Sequence, residues 1–167
     1  MILCIAVGSS LRGDDNAGHR VLRLLEDAGL GGQSEGRPLE VLSRKVVLRD
    51  VMQLTPELAA EIAHCGTVVF IDADPFSSDA RVEPLPRNGS QRTPLTHGMT
   101  PAEVVELAER WYEFKGAAFL CRVPATRFEV GEELSEQACA AVRAASTRLQ
   151  EFLLSAIDNS ASAVGMQ

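Results

Sequence analysis

The chain has 167 residues, 46% hydrophobic and 23% charged, which suits one globular domain and excludes disorder as the main state. Its net charge of −7 repels phosphate and excludes general binding to nucleic acid or an anionic membrane. No apolar run approaches the roughly 20 residues of a bilayer span, and Met1–Gly8 is too short and lacks the basic leader of a signal peptide, so a soluble cytoplasmic protein is expected.

Ile2–Gly8 is a continuous apolar run ending in glycine, the pattern of a strand buried on both faces. A polar loop with Gly8, Gly13 and Gly18 leads into a helix whose Val21, Leu24, Leu25 and Ala28 share a face, and Gly29 ends it. Leu30–Pro38 is glycine-rich and loose, and Leu39–Leu42 predicts a second strand. Thr55-Pro56 opens a helix running to about His64. Thr67–Ile71 is the strongest β-branched and aromatic run, hence a central strand, ending in Asp72-Ala73-Asp74-Pro75. Arg81–Leu85 is read as an edge strand, because Pro84 has no N–H to donate within a sheet. Thr100-Pro101-Ala102-Glu103 is a capping box opening a helix through Val104, Val105, Leu107, Ala108 and Trp111. Ala117–Val123 predicts the next buried strand, and Ser135 caps a last helix with Ala138, Ala141, Val142, Ala145, Leu149 and Phe152 inward. Residues 156–167 are small and polar and are expected to fray, leaving residues 1–155 as a single domain. Strands alternating with helices predict an α/β sandwich on a mostly parallel sheet.

Working groups in such folds lie just beyond the carboxyl ends of the strands. Asp14 and Asp15 follow the first strand, where they suit either helix capping or a role as metal ligand or base. Asp72 closes the central strand, where a carboxylate is costly unless paired, hydrogen-bonded or coordinating. Asp74 points the same way two residues on and ranks second. His97 precedes the capped helix. His19 falls on the solvent side of the first helix by phase, and favourable interaction with a helix end accounts for His64. Two carboxylates and an imidazole from three strand-end segments suit a borderline divalent metal held weakly. Cys4, Cys65, Cys121 and Cys139 form no C-x-x-C pair and read as packing thiols.

The stretch Ile5–Gly18, with Ile-Ala-Val-Gly-Ser-Ser-Leu-Arg-Gly-Asp-Asp-Asn-Ala-Gly, resembles the opening signature of the [NiFe]-hydrogenase maturation endopeptidases. The resemblance continues at Val69-Phe70-Ile71-Asp72-Ala73, at His97-Gly98-Met99, and at the turn Gly131–Leu134 before Ser135, covering nearly the whole chain in order. Ser9 stands where asparagine is usual and Asn16 where glycine is common, and the Gly-Gly-Thr-like segment after the second strand is not recognisable in residues 42–54. Gln53–Leu58 resembles members serving cytoplasmic, cofactor-reducing hydrogenases.

The resemblance implies a three-layer α/β sandwich. It also implies an endopeptidase that removes a C-terminal extension from a hydrogenase large-subunit precursor after nickel insertion. Asp15, Asp72 and His97 fall on the positions that bind that nickel, and Asp15 and Asp72 are the candidate catalytic acids. Nickel is supplied by the precursor, and zinc or cadmium are expected to be accepted by the same ligands. A monomer is expected. No serine or cysteine has a recognisable activating partner, so water is the expected nucleophile. A phospho-acceptor receiver and a metal-dependent phosphohydrolase are the alternatives. The first needs a lysine ending the last strand, which reads FLCRVPA, and the second needs basic residues near the acids, where only Arg12 offers itself.

Overall fold

The computed structural model describes residues 1–30, 45–86, 98–131 and 133–164. Along the chain come β1 (Ile2–Val7), a turn of 3-10 helix (Gly13–Asn16), α1 (Ala17–Asp27), β2 (Val46–Val51) and α2 (Leu58–Ala63). They are followed by β3 (Thr67–Asp74), β4 (Arg81–Pro84), α3 (Pro101–Tyr112), β5 (Ala117–Pro124) and α4 (Glu136–Val164). The strands form one five-stranded sheet in the order β2-β1-β3-β5-β4. The first four in that order run parallel, and β4 pairs antiparallel with β5 at the edge.

Every residue of β1 is buried, because alternate side chains enter opposite layers. Ile2, Cys4 and Ala6 join the core under α1 and α4, while Leu3, Ile5 and Val7 join the core under α2 and α3. Helices therefore cover both faces, and the architecture is a three-layer α/β sandwich. The link from β1 to β2 passes through α1 on one face, and the link from β2 to β3 through α2 on the other. The strand order reverses between β1 and β3, which is where such sheets open a crevice at their carboxyl end.

Several local expectations are met. Thr100 accepts a hydrogen bond from the Glu103 N–H while the Glu103 carboxylate accepts from the Thr100 N–H, completing the capping box. The Ser135 hydroxyl accepts from the Ala138 N–H at 3.1 Å. Others shift. Leu39–Leu42 lies outside the described residues, and the second strand forms at Val46–Val51. Its Arg49 and Asp50 are tolerated because β2 is an edge strand of the described sheet and both side chains are exposed. The last helix does not stop near Ser155 but runs to Val164, with Leu153 and Ile157 buried. Those two continue the stripe of Ala145 and Leu149 at four-residue spacing. Trp111, near the end of α3, is 70% exposed.

Candidate active site

Two close approaches shape the loop after β1. Gly8 has φ +137°, and a Cβ there would lie 2.2 Å from the Asp15 carbonyl oxygen. A Cβ on Gly18 would lie 2.8 Å from the Ile71 carbonyl oxygen. Glycine at both positions lets the start of α1 settle onto the carboxyl ends of β1 and β3. Asp15 is thereby held at the reversal point. Its Oδ2 accepts a hydrogen bond from the Ser9 N–H at 2.7 Å, while Oδ1 accepts none from the described residues. The contact uses the Ser9 backbone, so serine in place of asparagine leaves it intact. The Ser9 hydroxyl instead accepts from the Leu11 N–H within the loop.

Asp72 occupies the end of β3, half-buried, on the face that Val68 and Phe70 give to the α2–α3 core. Its cross-strand partner is Arg122. That guanidinium is committed elsewhere, to Asp74 at 2.7 Å and to Glu83 on β4. Among the described residues Asp72 makes no ion pair of its own. Burial, and then the negative charge of Asp15, push its carboxyl up to about 7. The two acids picked out from the sequence are thus electrostatically coupled. Asp74, the second-ranked acid, is a structural ion-pair member whose Oδ1 also accepts from the Phe76 N–H.

Asp14 does something the sequence did not suggest. No side chain caps α1 at Asn16, and Asp14 and Asp15 sit instead in the first turn of the 3-10 helix that precedes it. Asp14 is fully buried and clasps the segment between β5 and α4. Its carboxylate accepts from the N–H groups of Thr126 (2.8 Å), Arg127 (2.9 Å) and Ser135 (2.6 Å) and from the Ser135 hydroxyl (2.8 Å). Burial alone would raise its pKa, but these four donors outweigh it and hold Asp14 below the usual carboxylate range. Asp14→Ala orphans three backbone donors and is expected to cost about 3 kcal/mol or more, read by urea unfolding at pH 7. A lowered carboxylate pKa contributes stability above its unfolded value, near pH 4, that is lost as pH falls through the lower folded value. The Asp14→Ala deficit is therefore expected to shrink in acid.

His19 is not on the solvent side. Its ring is largely buried; Nε2–H donates to the Gly8 carbonyl at 2.8 Å, and Nδ1 lies 3.9 Å from the Asp50 carboxylate. Helical phase places a residue relative to the sheet alone, and here the end of β1 reaches up beside the first turn of α1. His64 bonds the Ala60 carbonyl at 2.7 Å, the expected helix-end contact. All four cysteines are free, with Cys139 half-buried and the others buried. Burial pushes the Cys4 thiol far up and Cys121 up to about 12, so neither offers a thiolate at neutral pH. His97 lies outside the described residues. The chain is next described at Gly98, packed against Gln53, and the Met99 N–H donates to the Leu54 carbonyl just beyond β2. Among the described residues no three acids, histidines or cysteines form a metal-holding group.

No protein-family model matches the chain, and neither does any curated protein. Solved structures do. The [NiFe] hydrogenase maturation protease HycI from Thermococcus kodakarensis KOD1 superposes with a TM-score of 0.66 at 20% identity, over 91% of each chain. The hydrogenase maturating endopeptidase HybD from E. coli gives 0.68 at 19% identity, over 93% of each chain. A hydrogenase 2 maturation peptidase from Thaumarchaeota archaeon SCGC_AB-539-E09 gives 0.59 at 22% identity, over 91% of this chain and 97% of that one. At these identities the likeness establishes the fold, which this chain shares with the hydrogenase maturation proteases.

Proposed function

We propose that the chain is an endopeptidase that removes the C-terminal extension of a [NiFe]-hydrogenase large-subunit precursor once nickel is in place. The observation that carries this reading is the coupled pair Asp15 and Asp72 at the reversal point of a sheet with the maturation-protease fold. The nickel belongs to the substrate. Asp15, Asp72 and His97 are the groups that would meet it, two hard oxygens and one imidazole, a set that favours passing contact over extraction. His97 adjoins Gly98, which packs at the carboxyl end of β2.

Peptide hydrolysis then needs a water oxygen to bond the carbonyl carbon, the C–N bond to break, and a proton to pass from the water to the departing amine. A carboxylate of this pair takes that proton and returns it. A pKa near 7 places Asp72 where it can do both at neutral pH. Whether Asp72 acts as base or as nickel ligand, it must be ionised. The engagement of Asp14 in the clasp removes one member of the acidic pair after β1, which disfavours the receiver reading.

The test is incubation of the purified protein with nickel-loaded and nickel-free precursor, with chain length read by mass spectrometry. Shortening of the loaded form alone is expected, with no covalent acyl-enzyme on any serine or cysteine. His97→Ala is expected chiefly to raise KM for the loaded precursor. An intact loaded precursor, or a trapped acyl-enzyme, would overturn the proposal.

A further inference from the structure

Four large apolar side chains stand in water at the carboxyl end of the sheet: Leu11 (58% exposed), Met52 (74%), Phe76 (83%) and Val130 (90%). They come from four different loops, one beyond each parallel strand. Leu11 and Val130 are neighbours, since the Leu11 carbonyl accepts from the Gly131 N–H at 3.0 Å. Met52 follows Val51, whose carbonyl accepts from the Gly8 N–H at 3.1 Å. Phe76 is held by its own N–H on Asp74. Met52 and Phe76 lie one and two residues beyond β2 and β3, Leu11 is in the loop between β1 and Asp15, and Val130 is in the segment between β5 and α4.

Resting on the endopeptidase reading, we infer that these four residues form the seat for an extended, apolar segment of the polypeptide substrate on either side of the scissile bond. The spacing fits. Met52, Leu11 and Phe76 follow the adjacent strands β2, β1 and β3, with Val130 beside Leu11, and three strands at about 4.8 Å separation span roughly 10 Å, the length of about three extended residues. Alternate side chains of such a segment meet contacts on opposite sides of the crevice. A second copy of this chain is the poorer occupant. The four side chains offer on the order of 500 Å², short of the roughly 800 Å² per partner that a stable dimer buries.

Each position is exposed, so an aspartate there leaves the core untouched. Phe76→Asp, Met52→Asp and Leu11→Asp are compared with the parent protein on nickel-loaded precursor. KM is expected to rise roughly tenfold or more for Phe76→Asp, with kcat nearly unchanged, as for contacts made equally in ground and transition states. Trp111→Asp is the control, because Trp111 is equally exposed but ends α3, just before β5 begins at the other end of the sheet; its kinetics are expected to match the parent's. Parent-like KM in all three rim variants, with the parent cleaving normally, would overturn the seat and leave the endopeptidase reading standing. Failure of the parent itself to cleave would overturn both. A concentration-dependent dimer that Phe76→Asp dissolves would assign the patch to self-association and overturn the inference.

Discussion

Asp72→Asn is expected to abolish processing of the loaded precursor while making the protein more stable above pH 7. The reason lies in the energetic position of this carboxylate. Burial and the charge of Asp15 raise its folded pKa to about 7, against roughly 4 in the unfolded chain. Between those values the folded state binds more protons than the unfolded one, so stability falls as pH rises. The favourable contribution is complete below about pH 4 and lost as pH passes about 7, at up to about 1.4 kcal/mol per unit of displacement. Asparagine keeps the shape and carries no charge. Its melting temperature is expected to exceed the parent's by about 5 °C or more at pH 8 and to match it near pH 4. Processing should fall by about a hundredfold or more, since a neutral amide neither takes a proton nor binds nickel as a carboxylate does. In the parent, kcat/KM should rise with pH to a plateau above about 7, because that ratio reports ionisation in the free enzyme. Equal melting temperatures at pH 8 would place Asp72 in ordinary solvent and remove the basis for its role.

Asp15→Asn is expected to lower kcat/KM by a comparable factor and, independently of catalysis, to move the titration of Asp72. The charge of Asp15 is the second cause of the raised Asp72 pKa, after burial. Removing it leaves burial and Asp74 as the raising influences, so Asp72 should ionise at lower pH. Carboxyl-carbon NMR on the parent and on Asp15→Asn reads this directly. Asp72 should titrate at lower pH in the variant than in the parent. The Ser9 N–H that bonds Asp15 Oδ2 can bond an asparagine oxygen equally well, so the loop should keep its shape. An unmoved Asp72 titration would mean that the two acids do not share a site.

Much of the architecture was legible in the sequence because it rests on local rules. The apolar run Ile2–Val7 could only be a two-face-buried strand, and Pro84 could only sit at a sheet edge, where β4 indeed lies. The capping signals at Thr100 and Ser135 depend on neighbours three residues away, so they survive any tertiary context. The placement of Asp15 in the loop after β1 and of Asp72 near the end of β3 was legible for the same reason. Tertiary structure decided what local rules cannot reach. That Arg49 and Asp50 can lie within β2 follows from its being an edge of the described sheet, where charged residues cost little. The clasp of Asp14 joins positions more than a hundred residues apart, and His19 is covered by the end of β1 rather than by its own helix. The raised pKa of Asp72 depends on burial between the layers and on Asp15, which lies 57 positions away in the sequence. Sequence separation carries no information about such distances. A carboxylate's charge is therefore set by partners that only the folded chain brings near it, while its position at a strand end is set by the strand alone.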